Sequence, residues 1–126
     1  MNALSRLLVA PTLALLLVCT PTNAAPRVVV SPYDGTWSVA IYTLRGDCGS
    51  VRVGVRIVGS SVYAEDQSYR ARGSVGRNGV VRVAVSGYGR SAAGTGRLSA
   101  NSGSGSWRSS RGECSGTWSA SRRAAY

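Results

Sequence analysis

From Gly35 to Ser121 the chain alternates: apolar or very small side chains recur at every second position, arginine and serine stand between them, and short Gly- and Ser-containing breaks interrupt the pattern. Side chains of a strand point alternately to opposite faces, so a sustained period of two predicts strands with one buried face, and no segment keeps a helical period. In 35–43, Trp37, Val39 and Ile41 share a face. In 51–57, Val51, Val53, Val55 and Ile57 do so, with Arg52 and Arg56 opposite. A short strand is expected at Val62–Ala64, and Tyr69, Ala71, Gly73 and Val75 then alternate with Arg70 and Arg72. Arg77-Asn78-Gly79 reads as a tight turn, because Asn and Gly tolerate positive φ. Val81, Val83 and Val85 follow around Arg82, then Ala92, Gly94, Gly96 and Leu98 around Arg97, and two last strands place Trp107 and Trp118 inward.

The first 25 residues are expected to be a secretory leader outside this pattern. Arg6 supplies a positive start, Leu7 to Val18 is apolar and too short for a membrane span, and small residues surround Ala24 and Ala25. The expected organisation is a leader over 1–25, an extended segment over 26–34, the strand domain over 35–121 and a tail over 122–126. Such a protein is exported, to the periplasm or the extracellular medium. Removal of the leader takes Cys19 with it and leaves Cys48 and Cys114, which an oxidising compartment would join.

That bridge selects the number of strands. Cys48 follows the first strand and Cys114 precedes the last. In an up-and-down barrel those two ends coincide only when the last strand is even-numbered, so the short Val62–Ala64 segment counts as one of eight. The expected fold is all-β, a small antiparallel up-and-down barrel of about eight short strands with one disulfide. Closure removes exposed sheet edges. It also predicts that the two copies of Gly-Thr-Trp-Ser, Gly35–Ser38 and Gly116–Ser119, lie in neighbouring strands. The glycines at 94 and 96 leave room for an indole, so Trp37, Trp107 and Trp118 read either as core residues or as the lining of a ligand site.

The residue types exclude much chemistry. Serine is abundant, but there is no histidine or lysine to activate it. Zinc would find no imidazole and, with the cysteines bridged, no thiolate. The carboxylates Asp34, Asp47, Glu65, Asp66 and Glu113 all fall in expected turns or strand ends, and Glu65-Asp66 lacks the ligand spacing that calcium requires. No enzymatic activity, metal or cofactor is expected.

Charge is the remaining signal. All fifteen basic residues are arginines, against five acids. Loss of Arg6 with the leader leaves a net charge of about +9, a balance that favours anionic partners. Arg52, Arg56, Arg70, Arg72, Arg82 and Arg97 all fall on the face opposite the apolar one. They are candidates for an anion-binding patch, with Tyr63, Tyr69, Tyr88 and Tyr126 as stacking groups, or else they keep a Val-rich barrel soluble and monomeric. Acidic envelope glycan, phospholipid headgroups or an acidic protein are the expected partners, rather than nucleic acid.

The segments Tyr33–Ser38, Arg45-Gly46-Asp47-Cys48, Gly94–Leu98, Gly103–Trp107 and Cys114–Trp118 resemble a set of short secreted proteins of alphaproteobacteria, a resemblance that implies no particular activity. More distantly, Asp34-Gly35-Thr36-Trp37 is similar to the opening of avidin-like and other calycin barrels, which implies a small ligand carried inside. A periplasmic protease-inhibitor family also opens an eight-stranded, singly bridged barrel with Gly-x-Trp. That likeness implies a free N-terminal trunk, whose counterpart here is 25–32. The leading expectation is a non-catalytic exported binding or envelope-associated protein acting through its outward arginines. A carrier with its ligand near the tryptophans and a protease inhibitor are the alternatives.

Overall fold

A computed structural model describes residues 11–19 and 31–126. The expected leader and extended segment therefore lie largely outside the described residues. Eight strands follow one another as β1 (Gly35–Arg45), β2 (Val51–Val58), β3 (Ser61–Ala64), β4 (Arg70–Val75), β5 (Val80–Gly87), β6 (Arg90–Leu98), β7 (Ser102–Ser109) and β8 (Ser115–Ala125). Each pairs antiparallel with the next, and β1 pairs with β8, so the sheet closes into an up-and-down barrel. The β1–β8 seam runs nearly the whole length of both strands, from Gly35 opposite Ala125 to Arg45 opposite Ser115.

The two Gly-Thr-Trp-Ser copies do lie in these neighbouring strands, but they are offset. Trp118 stands opposite Ile41, while Trp37 stands opposite Arg122. Antiparallel pairing sends the copies toward opposite ends of the barrel. Residues 122–125 correct the sequence reading, which placed them in a tail. They continue β8, because Arg122 turns inward and its guanidinium lies 5.0 Å from the centroid of the Trp37 ring.

The inner face is apolar and the outer face polar. Trp37, Val55, Ile57, Val62, Val75, Val81, Leu98, Trp118 and Ala120 form the buried cluster. Every strand arginine except Arg122 is exposed. This polarity is the reverse of a membrane-spanning barrel, whose outward band is apolar. The small inner residues serve the tryptophans. A Cβ on Gly105 would stand 2.7 Å from Trp118 Cε2, and one on Gly96 would overlap the same indole. Removing both side chains lets a bulky ring lie flat against two paired strands.

The two ends differ. At one end the connections are short: Gly59–Ser60, Gly76–Gly79 and Ser99–Asn101. Residues 31–34 cross this end and close it. Asp34 is buried and accepts hydrogen bonds from the backbone N–H of Gly59 (3.0 Å), Ser60 (3.5 Å) and Ser31 (3.3 Å). Those bonds hold Ser60 at φ 72°, a conformation that a non-glycine residue rarely adopts without outside support. Arg122 Nη2 donates to the Pro32 carbonyl at 2.6 Å and fastens the same strap. In the Gly76–Gly79 turn the positive φ falls on Gly79 alone (85°). Asn78 contributes through its side chain, which accepts from Val80 N at 3.1 Å.

Candidate functional site: an interior cavity

The opposite end is ringed by the longer connections 46–50, 65–69 and 110–114 together with the tight Tyr88-Gly89 turn. Cys48 and Cys114 form a disulfide there, Cα to Cα 6.2 Å, tying the β1–β2 loop to the β7–β8 loop. The β7–β8 hairpin is held separately. Ser109 Oγ accepts from Cys114 N (2.9 Å) and donates to Cys114 O (3.0 Å). Thr43 Oγ1 donates to the Gly49 carbonyl across the other loop.

Between these rims the barrel is hollow. The cavity measures about 800 Å³ and is lined by Trp37, Val39, Ile41, Val53, Val55, Val83, Val85, Ala92, Gly94, Trp107 and Trp118, with Ser68, Tyr69, Tyr88, Arg90 and Glu113 toward the mouth. Its origin is the choice of inner residues. β5 and β6 present Val83, Val85, Ala92 and Gly94 to the lumen where larger side chains would have filled it, and eight strands leave room for either filling or one small ligand. Val39, Ile41, Val83 and Trp107 pack against the core yet remain only partly buried.

All three tryptophans expected as core or lining residues reach this cavity, at different depths. Trp37 is 1 % exposed and forms part of the floor, Trp118 is 7 % exposed, and Trp107 lies nearer the mouth. Each indole N–H is already committed. Trp37 Nε1 donates to Tyr33 O (2.9 Å), Trp107 Nε1 to Tyr42 O (2.9 Å) and Trp118 Nε1 to Thr95 O (3.1 Å). All three partners are backbone carbonyls of the wall. The rings consequently offer the lumen apolar surface and no spare donor.

At the mouth, Tyr88 adopts φ 55° and is 86 % exposed. Between β2 and β4, β3 is too short to cover the open-end half of β2, and the 65–69 loop fills the gap. Glu65 N (3.1 Å) and the Tyr69 hydroxyl both bond Gly54 O. Burial raises the pKa of Tyr69 above its usual value near 10, against the opposing effect of that hydrogen bond. Asp66 accepts from Ser68 N at 2.8 Å and from Ser68 Oγ at 2.7 Å, and those bonds hold its carboxyl below the ordinary range.

The acids do not assemble into a centre. Asp34 supports the closed end, whereas Asp47, Glu65, Asp66 and Glu113 are distributed among the mouth loops. Among the described residues no three metal-ligating side chains gather, and the ion pair present joins Arg123 to Glu65 across β1.

The six arginines singled out by alternation are all exposed. The register gathers four of them, Arg56, Arg70, Arg72 and Arg82, around Tyr63 on β2 to β5, whereas Arg97, four strands from Arg56 in a closed barrel of eight, faces the opposite side. Arg56 stands opposite Tyr63, and Tyr63 opposite Arg72. Arg70 is two residues from Arg72 on the same face of β4, Arg82 lies diagonally from Arg72, and Arg97 diagonally from Arg82. Arg52 stands apart, near the mouth, where its Nη1 donates to Ser38 Oγ at 3.2 Å. The trunk suggested by the inhibitor resemblance falls mostly outside the described residues, and its last two, Ser31 and Pro32, are fastened beneath the closed end.

Sequence reasoning missed Arg122 as the residue that covers Trp37 and Asp34 as the clamp of the β2–β3 turn. The signal for Arg122 was available, since position 122 continues the inward parity of Trp118 and Ala120. Comparison of the chain with protein-family models, with curated proteins and with solved structures gives no match.

Proposed function

We propose that the barrel binds a small apolar molecule in its interior, as a carrier or sequestering protein without catalysis of its own. The observation that carries this reading is the cavity of about 800 Å³, which opens at the disulfide-bridged end and has all three tryptophans in its lining. That volume lies within the range of small-molecule sites. Half-buried Val39, Ile41, Val83 and Trp107 gain further burial only if something occupies the lumen. Because the indole N–H groups are engaged by the wall, the occupant is recognised by shape and apolar contact, and any polar end it has sits at the mouth among Ser86, Tyr88 and Ser91.

The test is a fluorescence titration with a neutral naphthylamine probe, followed by displacement with straight-chain alcohols of increasing length. Saturable one-to-one binding is expected. Competition should strengthen about fourfold per added methylene, following the ~0.8 kcal/mol gained per buried CH2, until the cavity is full. Val85→Trp, at an inward position that faces open lumen, should abolish binding while the protein unfolds at a similar temperature. A wild-type protein without saturable binding, or a Val85→Trp variant that binds equally well, overturns the reading.

A further inference from the structure

The outer wall carries a second feature, on the opposite side of the strands from the cavity and independent of it. None of the eight strands contains an acidic residue. The five acids all lie in connections or in the 31–34 strap, so the charge of the strands themselves comes from arginine alone. Arg56, Arg70 and Arg72 surround Tyr63 on β2 to β4, and Arg82 lies diagonally from Arg72 on β5, with Arg70 toward the mouth and Arg56 and Arg82 toward the closed end. Successive members sit on adjacent strands or diagonally across one pair, or two strands apart on either side of Tyr63. Their backbone positions are therefore roughly 7–10 Å from one another. The nearest acid, Glu65, lays its carboxylate over Gly54 on the outer face of β2, two residues from Arg56, where its charge is taken up by Arg123.

Tyr63 stands at the centre of this group, 51 % exposed, and Val58 lies beside it, 43 % exposed. The surface is the convex wall of a barrel, with guanidinium groups radiating from separate strands. It does not converge on one anion, as a phosphate pocket would. We infer that this face docks on an anionic phospholipid bilayer, with the arginines on headgroup phosphates and Tyr63 and Val58 at the interface. Guanidinium groups form paired hydrogen bonds to phosphate oxygens, and a ring that is apolar on its faces and polar at its hydroxyl suits the headgroup level. A planar array of phosphates meets spaced arginines without demanding a fixed partner shape. An acidic protein would need matched carboxylates, and a soluble glycan would leave the Tyr63–Val58 surface unused.

The experiment is co-sedimentation of the full protein with vesicles of phosphatidylglycerol mixed into phosphatidylcholine, compared with phosphatidylcholine alone. Binding should require the anionic lipid and weaken with added salt. At an anionic surface each basic side chain is worth about fivefold in partition. Arg72→Gln with Arg82→Gln should therefore lower it roughly 25-fold. Arg45→Gln with Arg108→Gln removes the same charge from the other side of the barrel and should change it much less. Tyr63→Ser should weaken vesicle binding yet leave binding to soluble heparin unchanged. Equal losses from the two double variants would reduce the effect to overall charge and overturn the proposal. Binding to heparin with none to vesicles would move the site to acidic glycan and overturn it equally. Val85→Trp, which blocks the cavity, should bind vesicles as wild type does, so failure of the carrier reading is distinguishable from failure of this one.

Discussion

Replacing Cys48 and Cys114 together by alanine should lower stability by roughly 4 kcal/mol without changing the fold. The magnitude follows from topology. The bridge joins residues 66 positions apart, and its loss returns the corresponding loop-closure entropy to the unfolded chain, roughly 4 kcal/mol on the chain-entropy model. The native state loses little. The β1–β8 seam is paired along its length without the bridge, and the hairpin around Cys114 is held by Ser109. Alanine is the right replacement because Cys114 is 2 % exposed and a serine hydroxyl there would need a partner. For a domain of this size the unfolding midpoint should fall by roughly 15–30 °C. Urea unfolding followed by circular dichroism measures the free energy directly. The denaturant slope should also rise, since an unbridged unfolded chain exposes more surface. A double variant within about 1 kcal/mol of the oxidised protein, with an unchanged slope, would refute the unfolded-state argument. Loss of the β spectrum would instead show that the seam does not close the barrel by itself.

Two glycine substitutions should differ in sign. Gly105→Ala places a methyl 2.7 Å from both Gly96 Cα and Trp118 Cε2, and backbone cannot yield, so chemical denaturation should show a loss of about 3 kcal/mol. Gly94→Ala meets Val83 Cγ1 at 3.3 Å, and Val83 borders open lumen. That variant should be neutral or up to about 1 kcal/mol more stable. At the closed end, Arg122→Ala removes the guanidinium from Trp37 and the bond to Pro32 O; a loss of about 2 kcal/mol is expected, with faster proteolysis N-terminal to Gly35. Tyr69 gives a pH signature. Its folded pKa is raised by burial, so the stability it contributes is intact below pH ~10 and is lost as pH rises through the folded value. Tyr69→Phe should blunt that alkaline decline in a pH series of urea midpoints. It should cost little at neutral pH, because Gly54 O keeps its bond from Glu65 N.

Strand type, inner face and the count of eight were legible in the sequence because they depend on parity. Trp37, Val55 and Val81 are inward for the same reason that Arg56 and Arg82 are outward, and a one-residue slip would exchange the two sets. The cysteine pair turned the same parity into closure. Register and depth were not legible, because both depend on how far each strand slides against its neighbour. The offset that sets Trp118 against Ile41 rather than Trp37 was one such case. The gathering of Arg56, Arg70, Arg72 and Arg82 around Tyr63, leaving Arg52 and Arg97 behind, was another. The cavity is a third, and it was decided only in three dimensions. Alternation states which residues face the lumen but not whether three indoles, one lying against Gly96 and Gly105 and one stacked beneath Arg122, fill the space that the small residues of β5 and β6 leave. Volume is a sum over all eight walls at once, and no local pattern along one of them contains it.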